Sequence, residues 1–186
     1  MDELSFQTEF ENYWDSLIQV IPAHMFQVLF GILCMGVVLL ITWKGVEKGF
    51  QYTSRLMLAE FCFIIYCSTV IYRNAGDFFK YDFHPLWSYA AILDGKIGLL
   101  AQNIMNIIVF LPVGLLIGMG FPRWSWGKAI GLGCIISISI EVMQYILKRG
   151  FSEMDDVIHN TLGCVIGYGV VKSIMYAHSV IVEQKR

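Results

Sequence analysis

Long apolar runs separated by short polar connections set the pattern of this chain. Residues 25–43 carry no charge and end on Trp43; residues 56–72 form a shorter run that Glu60 interrupts and Arg73 follows; residues 97–119, 129–147 and 157–176 form three more. A helix rises about 1.5 Å per residue, so roughly 20 apolar residues cross the hydrocarbon core of a bilayer. Five spans are therefore expected. Ahead of them, Phe6, Phe10, Trp14, Leu17 and Ile21 recur at helical spacing, with Glu3, Glu9, Glu11 and Asp15 mostly on the other side of the wheel. This predicts an amphipathic interfacial helix over residues 1–21, halted by Pro22. The expected fold class is an all-α integral membrane protein: one domain of five transmembrane helices plus that N-terminal amphipathic helix.

The last three spans hold the informative positions. Asn103, Asn106, Phe110 and Gly114 step along one face of the third span; Gly133, Ser137, Glu141, Gln144 and Lys148 do so at the fourth; Asp156, Asn160, Gly163 and Gly167 do so at the fifth. Steps of three and four keep a set on one side of a helix. The polar members lie at the start of the third span, the end of the fourth and the start of the fifth. Successive spans alternate direction, so those three ends meet on one side of the membrane. The glycines at the other ends allow close helix approach.

Composition narrows the class further. The 186 residues are 56% hydrophobic and 15% charged, with a mean hydropathy of +0.61, too apolar for an ordinary soluble domain. The net charge of -2 and the scattered Lys and Arg offer no basic stripe, which excludes nucleic acid as a partner. All five cysteines sit inside apolar runs and read as reduced packing residues. The acidic N-terminal stretch lacks the basic start of a cleavable signal peptide. With the N-terminus outside, eight basic residues fall on the inner side and five on the outer, which favours N-outside and C-cytoplasmic. The connections at 74–96 and 148–156 are then extracytoplasmic. The polar ends of the last three spans face the same way.

A carboxylate at membrane depth needs a partner. For Glu141 the candidates are Lys148, Arg73 and Arg149, and an ion pair alone would account for it. The number of polar groups at one level exceeds what helix packing usually needs, so Arg73, Asn103, Asn106, Glu141, Gln144, Arg149, Asp155, Asp156 and Asn160 are the candidate ligand-binding residues. Asp155 and Asp156 have a simpler reading as caps of their own helix. His159 reads as interfacial, or as a proton carrier. Glu60 reads as a snorkelling or paired carboxylate. No metal site, no cofactor and no catalytic residue is assigned, because no H-E-x-x-H or G-x-S-x-G motif is present.

The run Asn106-x-x-x-Phe110-x-Pro112-x-Gly114, then Glu141-x-x-Gln144, Arg149, and Asp155-Asp156-x-x-x-Asn160-x-x-Gly163-x-x-x-Gly167 resembles the signature of the VanZ-like family of bacterial membrane proteins. The segment from Tyr81 to Tyr89 resembles the region that precedes the third span in that family, although Asp82 and His84 depart from its pattern. The resemblance covers about residues 73–171. It implies a multi-pass protein of the bacterial cell membrane and a link with lowered susceptibility to teicoplanin-type glycopeptide antibiotics. The residues themselves suit a pocket for a lipid-anchored polar ligand: amides for sugar or peptide groups, arginines for phosphate or carboxylate. The expected partners are membrane lipid and either a lipid-linked cell-envelope intermediate or the glycopeptide antibiotic. An intramembrane enzyme modifying a lipid-linked envelope substrate, with the carboxylates and His159 sharing acid and base roles or a divalent cation, is the alternative. A small transporter would need polar faces across the whole bilayer, which the inner halves lack.

Overall fold

The computed structural model describes residues 46–184, together with residues 8, 11, 30, 32, 33, 36 and 37. The predicted amphipathic helix 1–21 and the first predicted span 25–43 otherwise lie outside the described residues. In chain order the elements are α1 (Val46–Tyr66), a π-helical turn (Cys67–Ile71), β1 (Tyr81–Asp82), α2 (Trp87–Leu93), α3 (Gly98–Gly120), α4 (Trp126–Leu147), β2 (Ser152–Glu153) and α5 (Met154–Gln184). Among the described residues, four helical stretches are long and apolar enough to cross a membrane: Lys48–Ile71, Gly98–Gly120, Trp126–Leu147 and Met154–Gln184.

The spans pack through side chains that are small where backbones meet. α3 and α5 make the most extensive helix pair. A side chain at Gly114 would collide with the Cys164 carbonyl, and one at Gly163 with that of Ile107. Only a hydrogen at those positions lets the two backbones touch, the arrangement expected where lipid supplies no hydrophobic drive between helices. Around this pair a core of Ile65, Val70, Phe110, Val113, Ile117, Ile140 and Tyr168 ties α1 and α4 to it. Pro112 sits inside α3 without ending it.

Two connections carry more structure than the sequence pattern suggested. The 74–96 connection holds β1 and the short helix α2, and β1 pairs in parallel with β2, Tyr81 opposite Ser152 and Asp82 opposite Glu153. This ladder qualifies the all-α expectation. It joins the two extramembrane connections and draws Ser152 and Glu153 inward, leaving them 1% and 2% exposed. The helix after it starts at Met154, so Asp155 and Asp156 lie within its first turn. Glu60 lines a hollow between α1 and α3, and one of its carboxylate oxygens has no hydrogen-bond partner among the described residues.

Candidate functional site

The start of α3, the end of α4 and the start of α5 converge, and the ladder adds β2 to them. Two separate polar groupings result.

The first grouping centres on Asp155, fully buried. Its carboxylate accepts from the backbone N–H of Leu86, from the N–H of Ser88 at 2.9 Å and from the Ser88 hydroxyl at 2.5 Å. Those donors are the open N-terminal groups of α2, so Asp155 caps α2 rather than its own helix. The capping also holds Leu86 at φ 64°, a left-handed conformation unfavourable for a leucine. Asn103 completes the set by donating to the Ser88 hydroxyl at 3.0 Å. His159 is buried, not interfacial, and its Nε2 meets the Tyr89 hydroxyl at 2.8 Å. Side chains from α3 and α5 thus clamp α2 onto the bundle.

The second grouping holds the carboxylates of Glu141, Glu153 and Asp156. The Glu141 carboxylate accepts from the Glu153 backbone N–H at 2.9 Å. Gln102 donates to Glu153 at 2.8 Å and to Asp156 at 3.3 Å, while Asn106 donates to the same Asp156 oxygen at 2.7 Å. Glu153 and Asp156 touch side chain to side chain. Burial first, then the charge and contact of Asp156 and the charge of Glu141, push the Glu153 carboxyl up to about 9, against the Gln102 amide. At neutral pH it therefore keeps its proton, which lets two carboxyls stay in contact. Its other oxygen is buried without a hydrogen-bond partner.

Arg73 is the cation of this grouping, close enough to Glu141 and Asp156 to act on both charges. Gly150, at φ 113°, makes room for it: a Cβ there would lie 2.5 Å from a guanidinium nitrogen. On its outer side Arg73 lines a cavity of about 400 Å3 with Lys80, Lys148 and Phe151. Glu141 and Glu153 are buried, whereas Arg73, Gln102 and Asp156 are partly exposed. Arg73 is the residue that the grouping shares with the basic cavity, whose lining includes none of the three carboxyls.

The other candidates have different tasks. Arg149 donates to the carbonyls of Val70 at 3.1 Å and Ile71 at 2.5 Å, capping the π-turn instead of meeting Glu141. Lys148 donates to the Asp77 carbonyl at 3.3 Å. Gln144 reaches the Thr69 carbonyl at 3.2 Å, and Asn160 donates to Ser137 at 2.9 Å inside the bundle. Asp82 accepts from the backbone and the ring of His84, both at 2.9 Å, which holds its carboxyl below the usual range and makes an exposed local turn. Sequence reasoning missed Glu153, and it left Gln102 out of the candidate set. The available signals were the acid three positions before Asp156 and the amide four before Asn106. Among the described residues no group of three His, Cys, Asp or Glu is placed to hold a metal ion.

A family model described as VanZ/LLP1 matches residues 28–176 of this chain. Protein VanZ of Enterococcus faecium is 32% identical over 66 residues, which cover 36% of this chain and 41% of that relative. The alignment thus spans less than half of that relative. No solved structure matches the chain at a significant level.

Proposed function

The chain belongs to the VanZ/LLP1 family, and from that premise we propose that it lowers susceptibility to teicoplanin-type glycopeptide antibiotics by binding a lipid-linked cell-envelope component or the lipidated antibiotic. The site is the grouping of Arg73, Gln102, Asn106, Glu141, Glu153 and Asp156, opening to the extracytoplasmic side. One observation carries the reading: a single guanidinium, Arg73, stands between buried carboxylates and a basic cavity of about 400 Å3. A phosphate or carboxylate in that cavity would meet Arg73, Lys80 and Lys148. The amides and carboxyls behind Arg73 would hydrogen-bond sugar hydroxyls or peptide groups. Phe78, Phe79, Tyr81 and Phe83 are exposed alongside, and Phe79, Tyr81 and Phe83 gather around Tyr145 at ring distances of 5.0 to 6.2 Å. They offer an apolar surface at interface depth for a lipid tail.

The contact between Glu153 and Asp156 favours a second reading, an intramembrane enzyme acting on a lipid-linked envelope substrate. Two carboxyls in contact, with Glu153 holding its proton, are the kind of pair that general acid and base catalysis uses.

The test replaces Arg73, Glu141 and Asp156 singly by Gln, Gln and Asn in a host that the wild-type protein protects. Teicoplanin susceptibility is read at matched membrane abundance. Each variant is expected to lose most of the protection, and full protection by all three would overturn the site. Incubation of the purified protein with a lipid-linked precursor separates the readings, since only the enzyme changes the precursor's mass.

A further inference from the structure

The opposite end of the bundle carries a second set of cations. Between the first turns of α1 and the turn at residues 121–125 lies a cavity of about 400 Å3 lined by Lys48, Gln51, Arg55, Arg123 and Trp124 among others. Among the described residues three cations and no carboxylate line it. Arg55 is fixed in place: its Nε donates to the Gly120 carbonyl at 2.8 Å, and its guanidinium lies 5.0 Å from the Tyr52 ring centre and 4.6 Å from that of Phe121. A guanidinium held this way loses little freedom when an anion arrives.

A second hollow shares Gln51 and Pro122 with this cavity. It measures about 600 Å3 and is walled by Phe50, Gly118, Met119, Val171, Ile174 and Met175. Its walls are apolar. The lack of a side chain at Gly118 brings Val171 close, within 2.8 Å of where a Cβ would stand. Phe50, Ile174 and Met175 are exposed at the rim. α3 ends at Gly120, so the cationic recess lies at the membrane boundary and the apolar slot just inside it.

A cationic recess joined at that depth to an apolar slot matches the two halves of one amphiphile. We infer that the joined hollows bind an anionic phospholipid of the membrane, its phosphate between Arg55, Arg123 and Lys48 and an acyl chain along Ile174 and Met175. Basic pockets between spans recognise anionic headgroups through charge and forked guanidinium contacts. A choline headgroup would bring its own cation against three others, and a free phosphate would leave the slot unfilled. The site is separate from the carboxylate grouping and does not depend on what that grouping binds.

The test reconstitutes the full-length protein in nanodiscs of equal phosphatidylglycerol and phosphatidylcholine and counts retained lipids by native mass spectrometry. Wild type is expected to retain phosphatidylglycerol in preference, and K48Q/R123Q to lower that preference roughly tenfold. K128Q removes a cation at the same end of the bundle but outside both hollows, and is expected to leave the preference intact. I174W fills the slot without altering charge and should lower retention several-fold, a readout that survives if the double variant fails to fold. Equal retention of the two lipids by wild type, or a K128Q loss as large as that of K48Q/R123Q, would overturn the site. Displacement of the lipid by millimolar inorganic phosphate would make it an anion site with no lipid specificity, and would equally overturn the inference.

Discussion

Asp155 and Asp156 are neighbours in sequence on the first turn of one helix, yet they belong to two regions of opposite character. The Asp155 region is closed: two backbone N–H groups and a hydroxyl converge on that carboxylate, Asn103 backs the hydroxyl, and α2 is held as a result. The Asp156 region is less completely paired. Three carboxyls crowd together there, one buried oxygen has no partner, and the nearest cation also faces a cavity. A polar group whose partners all come from its own chain is part of the scaffold. A polar group left short of partners beside an opening is where a ligand can contribute.

Four changes test that contrast, the strongest first. D155A leaves three donors without their acceptor, and for the two on buried Ser88 each such loss is worth about 1–3 kcal/mol. The melting midpoint of the detergent-solubilised protein should fall furthest of any variant considered, and an unchanged midpoint would remove the anchor from the account. G163A forces a methyl into the Ile107 carbonyl and should lower stability by about 1–3 kcal/mol, since α3 cannot move away without disturbing both regions. Titration of Glu153 gives a third test. Glu153 has its carboxyl raised from 4.5 to about 9, so the folded state keeps a proton that the unfolded chain releases. Its stabilising contribution is complete below about 4.5 and is lost as pH rises toward 9. Thermal stability should decline across that window, and E153Q should flatten the decline; an identical slope in E153Q would place the titration elsewhere. Smallest of all, R149Q gives up bonds to two partly exposed carbonyls and should reduce stability by about 1 kcal/mol. At matched abundance, protection against teicoplanin should be unaffected by R149Q; its loss would move Arg149 from the scaffold to the site.

How far the sequence reveals these regions depends on what encodes each contact. Helical spacing places Asn106, Glu141 and Asp156 on inward faces, and alternation of spans brings their ends together without any coordinates. Gly114, Gly163 and Gly167 announce a close helix pair for the same reason. Glu153 escapes that logic because its burial comes from a two-residue ladder, too short to leave a periodic trace. For Asp155 the sequence leaves open a cap on its own helix and a place in the pocket; the donors it meets lie 67 and more residues earlier, on a turn whose return to the bundle no local pattern specifies. Arg149 and Arg73 are alike in sequence context, each bordering a span. What sends one to the carbonyls of the π-turn and the other over Gly150 is tertiary geometry, which residue type does not determine.

The two arginines provide the most direct test of the central claim that the Arg73 grouping, and not its structural surroundings, receives the ligand. Purified wild type, R73Q and R149Q in nanodiscs are titrated with a polyprenyl-diphosphate-linked precursor and separately with teicoplanin. At least one probe should bind wild type and R149Q alike and bind R73Q roughly tenfold more weakly, as loss of a charge-assisted contact to phosphate or carboxylate implies. Equal binding of that probe by R73Q, or binding of neither probe by wild type, would contradict the account.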